Sequence, residues 1–312
     1  MVMGSERARR CEQVVRDLQD AICSALEEVE AEHGSDARFR EDLWERHGGG
    51  GGRSRVLEGG AVFEKAGVNV SAVFGDVPEP VKGQMPGDGE VFFATGVSLV
   101  LHPRNPHAPT THANYRYIER GATGWFGGGA DLTPYRLYEE DARHFHAALE
   151  AACAKSSAAL YPHYKSWCDR YFWNSHRGEA RGVGGIFFDH LRPGHAPKAP
   201  GEEPLDMDGL ERFWRDAGES FLPAYLPIVR RRAATDYDEA LRHWQLVRRG
   251  RYVEFNLLHD RGTKFGLQTN GRIESIFMSL PPLVRWDYDA RPAPGTPEAE
   301  LVAVLERPRA WL

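Results

Sequence analysis

The sequence lacks several features that would assign the chain to a common class of protein. It has only four cysteines, Cys11, Cys23, Cys153 and Cys168, and no C-x-x-C pair, which argues against a disulfide framework or a cysteine metal site. We therefore expect reduced thiols in a cytoplasmic protein. No apolar run approaches the roughly 20 residues that are needed to span a bilayer, and residues 1–15 lack the apolar core of a signal peptide.

The chain also lacks the positive charge and the phosphate-binding motifs of many nucleotide and nucleic-acid binders. Its 312 residues include 39 Lys and Arg against 45 Asp and Glu, a formal net charge of −6. Nucleic-acid binding through bulk electrostatics usually needs the opposite sign. No G-x-x-x-x-G-K-[ST] motif follows the glycine run that ends at Gly52, so we interpret this run as a flexible loop. The partner is expected to be a small molecule.

Hydrophobic periodicity predicts a single α+β domain over residues 1–312. Apolar residues at three- and four-residue steps predict an amphipathic N-terminal helix within residues 1–33. From Val56 to Arg120 the pattern changes to period two, and the short apolar runs follow one another with short connections. Strands in direct succession favour an antiparallel sheet over alternating βαβ units.

The second half of the chain mixes helix and strand signals. Thr133-Pro134 resembles a helix start and is followed by two apolar stripes at helical spacing. The segment GVGGIFFDHL predicts a further strand. Residues 252–282 are interpreted as strands, because Asn270-Gly271 is the strongest hairpin signal in the sequence.

Polar residues are concentrated on two of the predicted strands. Alternation places Ser98 and His102 opposite the apolar residues of their strand, and it places His112, Asn114 and Arg116 on one face of the next strand. If the strands pair, all five groups converge. A solvated sheet face is one interpretation. These residue types favour a site for an anionic ligand, since Arg offers a planar fork to a carboxylate and His can move a proton.

Two further features have both a structural and a chemical interpretation. Three consecutive glycines in WFGGGADLTP allow a flat ligand to approach the backbone, and the following Asp131 is either a helix cap or a catalytic carboxylate. The chain has 13 histidines but no H-x-x-x-H or H-E-x-x-H pair. A metal site is therefore only weakly indicated by the histidine spacing.

Several long blocks are specific enough to indicate a family. They include SLVLHPRNP, THANYRY, WFGGGADLTPY, HRGEARGVGGIFFD and DRGTKFGLQTNGRIESIFMSLPPLVRW. Together, and continuously from Val56 to Trp286, they resemble the oxygen-dependent coproporphyrinogen-III oxidases of haem biosynthesis. The resemblance implies a large, flat antiparallel β-sheet covered by α-helices on both faces, and a homodimer. It implies O2-dependent decarboxylation of two propionates of coproporphyrinogen III to vinyl groups, giving protoporphyrinogen IX without an organic cofactor.

The resemblance also implies roles for individual residues. The substrate-contact positions fall at Ser98, Asn114, Tyr115, Arg116, Asn270, Gly271 and Arg272. The ligands of a divalent metal, with manganese suspected, fall at His102, His112, His146 and His176. The proton donor falls at His112, and residues 252–287 correspond to a dimerisation region. From the chemistry of a porphyrinogen we expect Asp131 to accept pyrrole N–H groups and Arg116 and Arg272 to hold propionates, with His112 or Asp131 managing the protons.

Two other functions stay open at this point. One is a non-haem metal oxygenase built on the four histidines, and the other is a tetrapyrrole-binding protein without turnover. Two positions depart from the family's pattern: Gly124 replaces one of two paired tryptophans, and His107 replaces an apolar residue. Neither change removes a group that the implied reaction needs.

Overall fold

The computed structural model describes residues 4–83, 85–268 and 271–312. The strands in these ranges are β1 (Arg40–Glu45), β2 (Gly50–Glu58), β3 (Phe63–Asp76), β4 (Val91–Pro103), β5 (Thr110–Arg120), β6 (Thr123–Thr133), β7 (Trp173–Asn174), β8 (Glu179–Ala180) and β9 (Gly184–Leu191). The main sheet has the order β1-β2-β3-β4-β5-β6-β9, and every neighbouring pair is antiparallel. Strands β7 and β8 form a separate two-stranded sheet.

The helices of the described residues lie before, between and after the strands. They are α1 (Glu6–Glu32), α2 (Glu79–Lys82), α3 (Glu139–Ala154), α4 (Leu160–Tyr171), α5 (Met207–Glu219), α6 (Phe221–Arg232), α7 (Glu239–Leu258), α8 (Arg261–Gln268), α9 (Ile273–Phe277) and α10 (Pro297–Glu306). No helix among them is long and apolar enough to cross a membrane.

Helix α1 confirms the predicted N-terminal helix. Ser5 caps it, because its hydroxyl accepts a hydrogen bond from the Ala8 amide. The apolar residues at helical spacing are buried, among them Val15, Ile22 and Leu26, and they pack on β3, β4 and β5. The amphipathic pattern therefore places α1 on one face of the sheet.

Helices cover both faces of the sheet, in agreement with the predicted α+β class. On the apolar face, Val97 and Leu99 of β4 are buried under α1, and α5 packs on β6. On the opposite face the Lys65 ammonium donates to the Phe277 carbonyl of α9 at 3.4 Å. The Tyr252 ring of α7 contacts the His102 ring there, with centroids 5.4 Å apart. This second face carries the polar strand residues.

Two of the loop and helix predictions were wrong. The glycine run is not a flexible loop, because Gly50–Gly52 open β2 and pair with β3, and Gly51 and Gly52 pair with β1 as well. Glycine is needed there, since a Cβ on Gly52 would lie 2.2 Å from the Trp44 ring. The helical zone begins at Glu139 and not at Thr133, which still pairs with Thr110 in the sheet. In both segments, pairing with neighbouring strands determined the structure, although the local residues favoured a loop or a helix start.

The predicted strands of residues 252–282 are helices. Helix α7, capped by Asp238, continues through Tyr252 because the chain buries Tyr252, Phe255 and Asn256 at three- and four-residue spacing. Helices α8 and α9 follow. Asn270, on which the hairpin prediction relied, and Thr269 lie outside the described residues. The four cysteines are all free and buried, as expected of reduced thiols.

Candidate active site

A row of polar residues crosses the second face of the sheet. Pairing aligns five of them on five adjacent strands: Asp42, Ser54, Asn69, Ser98 and Asn114. The Ser54 hydroxyl donates to Asn69 Oδ1 at 2.7 Å. The polar positions of β4 and β5 lie on one face, as predicted. The row continues on the same face across β3, β2 and β1.

His112 lies on this face beside the row and contacts a buried acid. It pairs across the sheet with Asp131, and His112 Nδ1 lies 2.9 Å from Asp131 Oδ1. Because a carboxylate only accepts, Nδ1 carries the proton and Nε2 is the basic nitrogen. No described residue contributes a hydrogen bond to Nε2. The His112 side chain is 21% exposed against 1% for Asp131. The imidazole, and not the acid, is therefore accessible from the polar face of the sheet, which we call the ligand side.

Arg181 holds Asp131 from the other side. Its Nη2 donates to both carboxylate oxygens, at 2.7 and 2.9 Å. The guanidinium lies against the rings of Phe172, Tyr252 and Phe255, at 4.0, 4.7 and 4.8 Å from their centroids, which is a favourable cation–π arrangement. Burial alone would raise the pKa of Asp131, but the charge of Arg181 lowers it below its usual value. Asp131 is therefore ionised and fixes the His112 tautomer.

Sequence reasoning missed Arg181, and it left a helix cap open as one of two roles for Asp131. Asp131 pairs with Gly185 inside the sheet, so it is not a helix cap. The available signal for Arg181 was its place just before the strand predicted from GVGGIFFDHL. That strand, β9, pairs with the strand of Asp131 and carries Arg181 toward it.

Arg116 lies next to the polar row and is held by two groups. Its Nη1 donates to Asn114 Oδ1 at 2.8 Å, and its Nη2 lies 2.8 Å from Asp189 Oδ1. The structure thus brings Ser98, Asn114 and Arg116 together as expected. The Tyr115 side chain points to the opposite face, where it is buried in the core, so only its backbone borders the site.

Arg272, the second expected propionate ligand, lies at the far end of the row. It donates to Asp42 of β1 and, at 3.1 Å, to Ser275. Four strand spacings separate β1 from β5, about 19 Å in all. The neighbouring Gly271 amide donates to the Gly266 carbonyl at 2.7 Å. Arg116 and Arg272 therefore mark opposite ends of one polar surface.

The four implied metal ligands are not assembled into a metal site. Three of them already have hydrogen bonds at both ring nitrogens: His102 with Thr110 and Ser279, His146 with Tyr161 and Val183, and His176 with His259 and Glu254. Within the described residues no three His, Cys, Asp or Glu side chains lie close enough to hold an ion. The expected four-histidine ligand set is therefore not supported, because the four imidazoles do not form a cluster in the described residues and their ring nitrogens have other partners.

The two departures from the family's pattern have local explanations. His107 is buried and lies 2.7 Å from the Tyr138 hydroxyl and 3.1 Å from the Asp236 carbonyl, so it is a hydrogen-bonded core residue. A Cβ on Gly124 would lie 2.3 Å from the Tyr117 hydroxyl. A larger residue at position 124 would require Tyr117 to move.

Comparison with known proteins identifies the family of the chain. The family model described as coproporphyrinogen III oxidase matches residues 10–311. The chain is 50% identical to the oxygen-dependent coproporphyrinogen-III oxidase of Synechococcus sp. (strain CC9605) over an alignment of 324 residues, which covers 99% of the chain and 88% of the relative. It is also 50% identical to the protein of that name from Parasynechococcus marenigrum (strain WH8102), over 319 residues, 97% of the chain and 87% of the relative. The chain belongs to the coproporphyrinogen III oxidase family.

Proposed function

We propose that the chain catalyses the oxygen-dependent conversion of coproporphyrinogen III to protoporphyrinogen IX. Its family and its 50% identity to two oxygen-dependent coproporphyrinogen-III oxidases support this activity. The structural observation that carries it is a His112 imidazole bound through Nδ1 to the buried Asp131 and open at Nε2. O2 is the co-substrate, and no organic cofactor takes part.

The polar surface suits the shape and charge of a porphyrinogen. Such a macrocycle has four inward pyrrole N–H donors and carries four carboxylates at its edge. Arg116 and Arg272 lie at opposite ends of the polar row and can each take a propionate. Ser98 and Asn114 lie between them in the row and offer hydrogen bonds to the macrocycle.

The substrate supplies the electrons of the reaction, and the protein has to move protons. Each propionate –CH2–CH2–COO⁻, with O2 and one proton, gives –CH=CH2, CO2 and H2O2, so two electrons pass from the substrate to O2. An electron-rich pyrrole can supply these electrons once it has lost a proton. His112 Nε2 accepts that proton as a general base, and Asp131 stabilises the imidazolium that forms. Asp131 thereby contributes through His112.

We further propose that the protein is a cytoplasmic homodimer joined through residues 252–287. This region leaves several apolar side chains at least 41% exposed: Leu257, Leu258, Phe265, Leu267, Ile273, Leu283 and Trp286. An apolar surface of this extent favours a partner, and a two-fold dimer is the commonest solution. Phe277 of the same region is half-buried. Light scattering at micromolar concentration checks the mass, and a fully active monomer contradicts the proposal.

The activity is tested by mixing the protein with coproporphyrinogen III without oxygen and then adding O2. We expect consumption of O2 and formation of vinyl product. A tetrapyrrole-binding protein without turnover would bind the substrate and consume no O2. A metal oxygenase would lose all activity on thorough chelation. Either result would contradict the proposed function or its mechanism.

A further inference from the structure

Strand β9 carries a bulge at the edge of the polar surface. The register between β6 and β9 shifts at Gly127, so that two residues of β9, Asp189 and His190, oppose this one residue of β6. His190 has a φ of +50°, which few residues other than glycine adopt. Strand alternation from Phe187, which lies opposite Gly129 on the polar face, places Asp189 on the same face. There its carboxylate lies beside Arg116, on the ligand side.

Asp189 has an oxygen that the protein does not use. Its Oδ1 lies 2.8 Å from Arg116 Nη2 and accepts a hydrogen bond from the His190 amide at 2.9 Å. Its Oδ2 takes no hydrogen bond from any residue in the described ranges. The nitrogen that forms an ion pair with it, His190 Nε2, lies 3.9 Å away, which is too far for a hydrogen bond. The Asp189 side chain is 16% exposed. By contrast, both oxygens of Asp131 are bonded and its side chain is 1% exposed.

Neighbouring groups keep Asp189 charged and allow the Arg116 guanidinium to reach it. Burial alone would raise the pKa of Asp189, but the charge of Arg116 lowers it below its usual value, so the carboxylate is ionised. A Cβ on Gly127 would lie 2.8 Å from Arg116 Nε and 2.9 Å from Nη2. The Arg116 guanidinium therefore lies flat across Gly127, and this glycine allows it to reach Asp189.

We propose that Asp189 is the residue that accepts pyrrole N–H hydrogen bonds from the bound porphyrinogen, and that Asp131 does not contact the substrate. This inference rests on the proposed function and assigns a substrate-binding role to a new residue. The free Oδ2 on the ligand side matches a ligand that offers several converging N–H donors. A charged acceptor also makes a stronger hydrogen bond with such donors than a neutral one does.

The main alternative is that Asp189 only holds Arg116 in place. Two ligands with the same four carboxylates separate these roles. Coproporphyrinogen III, kept without oxygen, has pyrrole N–H donors, whereas zinc coproporphyrin III has none, because the metal occupies all four nitrogens. Loss of a direct N–H contact weakens only the first ligand. Loss of Arg116 positioning weakens both.

The test measures equilibrium affinity for both ligands in the parent and in three variants. We expect Asp189→Asn to bind coproporphyrinogen about 10- to 100-fold more weakly, the effect of losing a hydrogen bond to a charged group, and to bind the zinc complex within about threefold of the parent. Asp131→Asn should bind coproporphyrinogen within about threefold. Asp36→Asn, an exposed acid in a loop, is the matched control and should leave both affinities unchanged.

Two results would overturn the inference. One is an Asp189→Asn variant that binds coproporphyrinogen within about threefold of the parent, and the other is an equal loss for both ligands. If the zinc complex does not bind the parent, the affinities of Asp189→Asn and Asp131→Asn for coproporphyrinogen are compared. A larger loss of affinity in Asp131→Asn than in Asp189→Asn refutes the assignment. Asp189→Ser replaces the asparagine variant if that variant does not fold. A parent protein that neither binds nor oxidises coproporphyrinogen refutes the proposed function instead.

Discussion

Replacing Asp131 by asparagine is the most direct test of the proton-transfer site. The substitution is nearly isosteric, but it removes the charge that lies between His112 and Arg181. His112 then loses the partner that fixes its tautomer and stabilises its protonated form. We expect turnover to fall by about a hundredfold or more, which is the usual scale for a lost acid–base or electrostatic contribution.

The same substitution should also lower the free energy of unfolding. The Arg181 side chain is 2% exposed and its only carboxylate partner among the described residues is Asp131. Removing one member of a buried ion pair typically costs about 3–5 kcal/mol of unfolding free energy. The aromatic rings and Asn256, which accepts from Arg181 Nη1 at 2.9 Å, offset part of it. Urea unfolding should therefore show a lower midpoint, with the fold intact in buffer.

A double variant separates stability from catalysis. Replacing both members of a buried pair often restores stability, so Asp131→Asn combined with Arg181→Met should unfold at higher urea than Asp131→Asn alone. Turnover should stay low in both, because neither has the carboxylate beside His112. O2 consumption and vinyl product are measured in parallel, with Asp36→Asn as the control. If Asp131→Asn is folded and turns over within a few-fold of the parent, the role given to Asp131 is wrong.

Three further predictions concern the substrate, the metal and pH. Arg116→Lys keeps the charge but cannot contact Asn114 and Asp189 together, so KM should rise about tenfold with kcat affected less; an equal fall in kcat contradicts this. Chelator-treated protein should keep a substantial part of its activity, and complete loss that one metal restores contradicts this. Burial alone would raise the pKa of Glu254, but hydrogen bonds from partners such as Arg177 lower it from 4.5 to about 2. The folded state therefore gains stability above pH 4.5 that is lost as the pH falls toward 2, and Glu254→Gln should flatten the acid-unfolding curve over that range; an unchanged slope contradicts this.

The face that carries the site could be predicted because strand alternation is a local property. Side chains two residues apart lie on the same side of a strand, so His112, Asn114 and Arg116 could be grouped from their spacing alone. Helix α1 was equally predictable, since its apolar stripe repeats over 27 residues. The family blocks are also contiguous in sequence. Each of these inferences needs only neighbouring residues.

Residues 252–277 show where local pattern is ambiguous. The segment from Tyr252 to Leu258 contains β-branched and aromatic residues that suit a strand, yet burial against the sheet and against Arg181 makes it part of α7. The glycine run was misread for a similar reason. Its residues have low strand propensity, and the close approach of Trp44 and of the β3 backbone explains why glycine pairs there.

By itself, the sequence determined the α+β class, the N-terminal helix, the family and the strand face on which His112 and Arg116 lie. Only the tertiary structure decided how these groups work together. Arg181 lies 50 residues from Asp131 in the chain, and Asp189 lies beside Arg116 only because β5 and β9 both pair with β6. Such contacts arise from strand register and burial, which depend on residues far apart in sequence, and so no local pattern specifies them.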